Sequence, residues 1–143
     1  MSAHALASLA RPGRLSAARR LGLSAEIVLA YVRVRLLLAR HDLPATVGRL
    51  RGGAPDTRAV DAQTGGLRLA RAATTVLRRL PGDTRCLTTA LVVCALLGRR
   101  GAGPRVVIGV RAGAEFGAHA WVELGGRPLL PRMEHEFDRL VEL

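Results

Sequence analysis

Two adjacent stretches decide the fold of this 143-residue chain: residues 83–100, DTRCLTTALVVCALLGRR, and residues 105–124, RVVIGVRAGAEFGAHAWVEL. In the first stretch, Asp83 or Thr84 can cap a helix, and apolar residues at helical spacing continue it to about residue 99. In the second stretch, the pattern changes to that of strands. A helix followed by an antiparallel sheet predicts an α+β fold.

The predicted sheet continues beyond the second stretch. Its first two strands are expected at residues 105–110 and 116–124. Gly125 and Gly126 then predict a tight hairpin turn, which leads to a third strand near residues 127–130. The sequence therefore predicts a small antiparallel sheet directly after the helix.

Upstream of this core, the sequence predicts three helices. Ser24 can cap a helix that ends near Arg40, a short helix covers residues 45–50, and a longer one covers residues 67–80. A Gly-Gly pair at residues 65–66 is expected to interrupt the chain before the last of them. The core is therefore expected to be preceded by N-terminal helices.

Positive charge is concentrated in this helical region. The chain has 22 arginines, no lysine, no asparagine and a formal net charge of +11. Residues 1–80, rich in Arg and Leu, carry 14 arginines against 4 acidic residues, whereas residues 81–143, the predicted core, carry 8 against 7. We expect the two regions to form one compact domain. The asymmetry indicates either a surface that meets an acidic partner or arginines that coat the outer faces of helices.

Composition argues against several classes of protein. Residues 1–23 lack the apolar run of a secretory signal, and residues 25–39 are too short and too charged to span a bilayer, which takes about 20 apolar residues. Two cysteines make no disulfide framework, and the Cys and His residues show no zinc-ligand spacing. We therefore expect a cytoplasmic protein with reduced thiols and neither a metal nor a cofactor.

Cys86 is the better candidate for a reactive thiol, although a lone cysteine is more often a small buried side chain. It lies in the first turn of the predicted helix, where unpaired N–H groups and the helix dipole favour the thiolate. The same N–H groups can stabilise an oxyanion. Cys94 lies eight residues later on the buried stripe, and we expect it to be structural.

A nucleophilic cysteine needs a base, and His119 lies in the second predicted strand between two alanines. Because side chains alternate along a strand, His119, Trp121 and Glu123 share one face. Trp121 and Glu123 are therefore candidates for lining a substrate groove. Trp121 could equally fill the core beside the histidine.

The order of these motifs resembles that of a known enzyme family. Residues 82–130 are similar to the transglutaminase-like cysteine proteases of lasso-peptide biosynthesis: they contain, in order, Cys-Leu at a helix start, Leu-Leu-Gly-Arg-Arg-Gly at its end, a Val-Ile-Gly-Val strand, and Ala-His-Ala-Trp-Val-Glu before a Gly turn. The resemblance implies a papain-like core in which a nucleophile helix packs on a small antiparallel sheet. It implies Cys86 as nucleophile and His119 as general base.

The resemblance also implies a function and partners. Members of that family remove the leader from a ribosomally made precursor peptide, and a lactam-forming cyclase then closes the ring. The chain resembles the stand-alone form of the peptidase, for which a separate small protein binds the leader. The expected partners are therefore the lasso precursor peptide, the leader-binding protein and the cyclase.

The third catalytic residue is the point at which the sequence departs from the family. The resemblance implies an Asp about a dozen residues after His119, but Pro131 stands there. Glu123 is a poor substitute, because four residues along a strand span roughly 13 Å. A papain-style amide is excluded, since the chain has no asparagine.

The predicted hairpin offers a substitute for the missing Asp. With a two-residue turn, Arg132 lies opposite His119, and Glu134 lies diagonally on the same face, about 7–8 Å away and within reach of a long side chain. We therefore predict Glu134 as the third member, with Glu136 and Asp138 as alternatives. Alternatively, Cys86 and His119 could act without a third residue, at a reduced catalytic rate.

Two other functions stay open. In a transglutaminase or another acyltransferase, an amine replaces water in the second step, and the same Cys–His pair serves both reactions. A basic binding protein for nucleic acid or a membrane surface would use residues 25–40 as an amphipathic docking helix. The second alternative is less favoured, because the chain has no nucleic-acid motif and few aromatic residues for stacking.

Overall fold

The secondary structure is α+β, as predicted. The computed structural model describes residues 16–52, 62–81, 86–113, 117–129 and 137–143. Within these residues four helices are followed by four strands: α1 (Ala17–Arg40), α2 (Leu43–Leu50), α3 (Ala62–Leu77), α4 (Cys86–Gly98), β1 (Arg105–Arg111), β2 (Gly117–Leu124), β3 (Arg127–Pro128) and β4 (Asp138–Glu142). The strands form one antiparallel sheet in the order β3-β2-β1-β4.

Helix α4 occupies the centre of the fold. Every residue from 90 to 98 is buried, and the helix contacts α1, α2, α3, β1 and β2. A helix that is apolar all round belongs in an interior, which explains why its sequence, CLTTALVVCALLG, carries no charge. Its bounds agree with the predicted 85–99, whereas the predicted caps Asp83 and Thr84 lie outside the described residues.

The sheet has one face toward the helices and one away from them. Val106, Ala120, Val122 and Leu124 belong to the same hydrophobic core as the helices. Of the residues that alternate with these, Val107, Trp121 and Glu123 are also buried but take no part in that core. Because side chains alternate along strands, His119, Trp121 and Glu123 lie on the face turned away from α4.

The turn between β2 and β3 confirms the predicted hairpin. Gly125 and Gly126 have φ angles of 54° and 75°. Two successive positive φ values define the type I′ turn that matches the twist of the flanking strands. The observed register pairs Glu123 with Pro128 and Leu124 with Arg127. Strand β3 is shorter than predicted, and Leu130 lies outside the described residues.

Helix α1 begins well before the predicted start at Ser24. Its N-cap is Ser16, whose Oγ accepts a hydrogen bond from the backbone N–H of Arg19 at 3.3 Å. Residues 17–23 consist mainly of Ala, Arg and Leu, which favour helix. The helix therefore begins after Ser16 and continues through Ser24. Helix α2 likewise begins earlier, at Leu43, after an Asp42 N-cap that accepts from the N–H of Ala45 at 2.9 Å.

Helix α3 runs through the Gly-Gly pair that was expected to interrupt it, and ends at Leu77. A Cβ atom at Gly66 would lie 2.8 Å from Cδ1 of Leu124, whereas one at Gly65 would meet nothing within 4 Å. Gly66 therefore permits a close approach between α3 and β2. The packing requirement, rather than a turn, explains this glycine.

Strand β4 was not predicted. It pairs antiparallel with β1, Val110 opposite Asp138 and Ile108 opposite Val141, with an irregularity between Ile108 and Gly109. Its five residues alternate poorly between apolar and polar, and all five are exposed. A strand that is short, exposed and bulged carries little of the periodicity on which prediction depends.

The glycines provide a matched test of this packing. A Cβ atom at Gly98 would collide with the carbonyl oxygen of Leu50 and lie 2.7 Å from the carbonyl carbon of Arg51. We expect Gly98→Ala to lower the free energy of unfolding by about 2–3 kcal/mol, because backbone atoms cannot rotate away. Gly65→Ala should raise it by about 0.5–1 kcal/mol, because helix propensity improves in open space. Urea unfolding followed by circular dichroism measures both; equal effects would contradict the close α2–α4 contact.

Candidate active site

The topology brings Cys86 and His119 to the same end of the fold. Helix α4 and strand β1 contact each other and are joined by only six residues, 99–104. Their lengths are similar, about 20 Å and about 23 Å, so a short connection makes them run in opposite directions. Cys86, the first residue of α4, therefore lies toward the end of the sheet where β1 finishes and β2 begins, and His119 is the third residue of β2.

The two candidate catalytic side chains project from different elements, α4 and β2. Cys86 is half-buried, and His119 projects from the sheet face turned away from α4. Among the described residues there is no hydrogen bond between the Cys86 thiol and the His119 imidazole. The segments that precede them, residues 82–85 and 114–116, lie outside the described residues.

The third member stays a prediction. Glu134 and Glu136 lie outside the described residues. Asp138 is exposed at the start of β4, where it pairs with Val110, on the opposite face of the sheet from His119. Arg132, predicted opposite His119, also lies outside the described residues.

Aromatic rings fix the environment of His119. Its ring centroid is 6.0 Å from that of Trp121, with the two planes 21° apart, and 5.4 Å from that of Phe137. Burial lowers the pKa of His119 below its ordinary value of 6.5, because a desolvated imidazole holds a proton less well. The imidazole is therefore mostly neutral at pH 7, the form required of a general base.

Gly109 makes room for these rings. It is paired with His119 on one side and with Arg139 on the other, in the middle of the sheet. A Cβ atom there would lie 2.8 Å from Cβ of Phe137 and 2.9 Å from the six-membered ring of Trp121. A glycine in β1 thus allows both aromatic side chains to lie over the same strand.

Glu123 holds the tryptophan and the last strand together. Its Oε1 accepts a hydrogen bond from Nε1 of Trp121 at 3.0 Å and pairs with Nη2 of Arg139 at 2.6 Å. Glu123 is only 6% exposed, and Trp121 is 5% exposed. A buried carboxylate with two such partners is satisfied within the protein. Trp121 accordingly fills the sheet face beside His119, which is one of the two roles considered for it.

Sequence reasoning missed Phe137 and Arg139. Phe137 contacts His119, and the Arg111 guanidinium lies 5.5 Å from the centre of the Phe137 ring. Arg139 reaches Glu123 across β1, since β4 and β2 flank that strand on opposite sides. Neither contact was predictable without knowing that a fourth strand follows residue 137.

Cys94 has the structural role predicted for it. It is completely buried in the central helix, and burial raises its pKa to about 12, against a smaller opposing effect of Arg51. A thiol in such surroundings stays protonated and inert.

Among the residues that the structure describes, no group of three or more His, Cys, Asp or Glu side chains is arranged to hold a metal ion. No described helix combines the length and apolar character needed to cross a membrane.

One comparison with known proteins gives a match. The family model described as "Transglutaminase-like superfamily" matches residues 27–142, which include all the elements from most of α1 to β4. No curated protein and no solved structure shows significant similarity to the chain.

Alkylation distinguishes the two cysteines. In the folded protein, iodoacetamide at neutral pH should modify Cys86 alone, because Cys94 is both buried and protonated. Peptide mass spectrometry should find one carbamidomethyl group in native protein and two after unfolding in urea. Modification of Cys94 at a similar rate in the native protein would contradict its placement in the core.

The contact between Glu123 and Arg139 has its own test. Arg139→Met leaves a buried carboxylate without its cation, so we expect the free energy of unfolding to fall by about 1–3 kcal/mol. Arg105→Met is the matched control, since Arg105 is exposed and its contact with Glu142 is long, at 3.6 Å; it should change stability by less than about 0.5 kcal/mol. Urea denaturation that ranks the two variants equally would contradict a stabilising role for Arg139.

Proposed function

The chain belongs to the transglutaminase-like superfamily, and on that premise we propose that it is a cysteine peptidase that removes the leader from a lasso precursor peptide. The superfamily is typically one of Cys–His enzymes, either proteases or acyltransferases. The observation that carries the proposal is the placement of Cys86 at the start of the central helix, at the end of the fold where β2 presents a neutral histidine. The finer assignment to leader removal is supported by the motif order over residues 82–130.

The proposed reaction has two steps. In the first, the Cys86 sulfur attacks the carbonyl carbon at the leader–core junction, a C–S bond forms and the C–N bond breaks. His119 takes the thiol proton and gives it to the leaving amine. In the second, His119 takes a proton from water, the hydroxide attacks the thioester, and the proton returns to the departing sulfur. The products are the leader carboxylate and a core peptide with a free amine.

The start of α4 contributes to the transition state. The first N–H groups of a helix have no carbonyl partner within it, and they carry the positive end of the helix dipole. In the proposal these N–H groups donate to the oxyanion that develops when Cys86 attacks. The position of the nucleophile at the first residue of the helix thus serves both the thiolate and the oxyanion.

The proposal requires the thiol and the imidazole to meet when a substrate binds. Because His119 projects from the sheet face turned away from α4, this meeting requires the start of α4 or of β2 to move, which is a larger change than the shortening of a long hydrogen bond. His119 is prepared for its role by Trp121 and Phe137, which lie beside its ring and keep it neutral. Glu134 is proposed to orient the imidazole, and the Cys86–His119 pair alone would act more slowly.

Three partners are proposed from the family resemblance. They are the precursor peptide, a separate leader-binding protein and the lactam-forming cyclase, which uses the amine that cleavage frees. An acyltransferase of the same superfamily would use the same two residues but would pass the acyl group to an amine. The fate of the thioester is therefore what separates the two functions.

The decisive experiment is mass spectrometry of a lasso precursor peptide incubated with the protein and a separate leader-binding protein. We expect wild type to cut at a single junction and Cys86→Ala to give no detectable product. His119→Gln should lower the cleavage rate by about 10²–10⁴-fold, the usual contribution of a positioned general base. The matched controls, Cys94→Ala and His41→Gln, replace a buried cysteine and a histidine at the end of α1, and should retain the wild-type rate to within about threefold.

Each result has a distinct meaning. Cleavage by Cys86→Ala would show that the thiol is not the nucleophile. Loss of activity in His41→Gln equal to that in His119→Gln would contradict the assignment of the base. A parallel reaction contains added methylamine. If the main product there is a leader fragment that ends in a methylamide instead of a free carboxylate, the chain is an acyltransferase.

A further inference from the structure

Helix α1 has two apolar faces, an inner one and an outer one, on opposite sides of the helix. Its inner face is buried against the rest of the protein through Ile27, Ala30 and Val34. Its outer face carries two of the most exposed large apolar side chains of the described residues, Leu21 at 74% and Leu29 at 65% exposure. A surface helix ordinarily turns its apolar side inward and its polar side to solvent, so an exposed apolar outer face is unusual.

The exposed side chains form one continuous stripe. We define the outer stripe as Leu21, Ala25, Leu29, Val32 and Leu36, all of which are exposed. Their spacing of four, four, three and four residues is the spacing that keeps side chains on one line along a helix. The stripe is about 22 Å long, which corresponds to four helical turns. This spacing is typical of a helix that packs against another helix.

Positive charge borders the stripe. Arg33 follows Val32, and Arg35 precedes Leu36; both arginines are exposed, as is Arg40 at the end of the helix. Glu26, the acidic residue of α1, is already bound to Arg100 by a salt bridge of 2.9 Å. Within the described residues, no ion pair engages Arg35 or Arg40. The stripe therefore has cationic margins with no acidic counterpart in the described part of the chain.

From this surface we infer that the outer stripe of α1 binds an amphipathic helix of another protein, one with an apolar stripe of its own and acidic residues beside it. A second copy of this chain would set arginine against arginine across the contact, which is unfavourable. A helix that lies in a lipid surface carries Trp, Phe or Leu on its apolar face; three of the five stripe residues are Leu, but the other two are Ala and Val, and the stripe has no aromatic residue. Small side chains allow close approach of a second helix.

This inference does not rest on the proposed function, because its test measures binding and not cleavage. The probe is a fluorescently labelled four-heptad peptide with Leu at positions a and d and Glu at positions e and g. The comparison probe has Gln in place of Glu. Fluorescence anisotropy with the full chain should show binding of the acidic peptide, and binding at least tenfold weaker for the Gln peptide, which corresponds to about 1.4 kcal/mol.

Variants locate the contact. Leu29→Gln combined with Leu36→Gln should weaken binding of the acidic peptide at least tenfold, and Arg35→Glu combined with Arg40→Glu should do the same. The matched control is Leu140→Gln on β4, which removes a side chain of similar exposure, 63%, from a different surface and should leave affinity within twofold. Because all five residues are exposed, circular dichroism should show unchanged folding for every variant.

Three outcomes would overturn the inference. The first is that the acidic peptide does not bind, or that it binds the stripe variant (Leu29→Gln with Leu36→Gln) as tightly as wild type. Either result would show that the stripe is not a helix-binding site. A dimer of the wild-type chain that the stripe variant converts to monomer would assign the stripe to a second copy. In the last, the wild-type chain sediments with vesicles of phosphatidylcholine and phosphatidylglycerol, the stripe variant does not, and the peptide does not bind. That result would assign the stripe to a lipid surface.

Discussion

The rest of the structure depends on the complete burial of α4. Because this helix has no exposed side along residues 90–98, helices must cover it from one direction and the sheet from the other. Burial on all sides also fixes where its chemistry can occur. Only an end of such a helix can meet a substrate, and its N-terminal end begins with Cys86. The same packing that excludes water from Cys94 leaves Cys86 at the boundary of the core.

The two faces of the sheet have different roles, one in the core and the other in the candidate site. One face completes the core around α4, through small and branched side chains such as Ala120 and Val122. The other carries an imidazole, two aromatic rings and a buried carboxylate paired with arginine. Single-residue alternation along β2 is enough to separate them, so eight consecutive residues serve both stability and the candidate site.

The elements with strong periodicity were predictable from the sequence, and those defined by contacts were not. The central helix and the first two strands were predicted to within one or two residues, since their apolar patterns are long and their ends are marked by Gly and charge. The start of α1 was missed because two serines could each cap it. The role of Gly66 was missed because a close approach to Leu124 leaves no local signal. Cys86 and His119 stood out in the sequence, whereas Phe137 and Arg139 became relevant only through the sheet order.

The sheet order also determines when the surroundings of the histidine are complete. Strands β2 and β1 pair through a short connection, but Phe137 and Arg139 belong to a segment that leaves the ribosome later. Until β4 has paired with β1, the His119 ring lacks its contact with Phe137, and the Glu123 carboxylate lacks its cation. During translation, therefore, the nucleophile helix is complete well before the imidazole is enclosed. The order of synthesis therefore delays enclosure of the imidazole until β4 has left the ribosome.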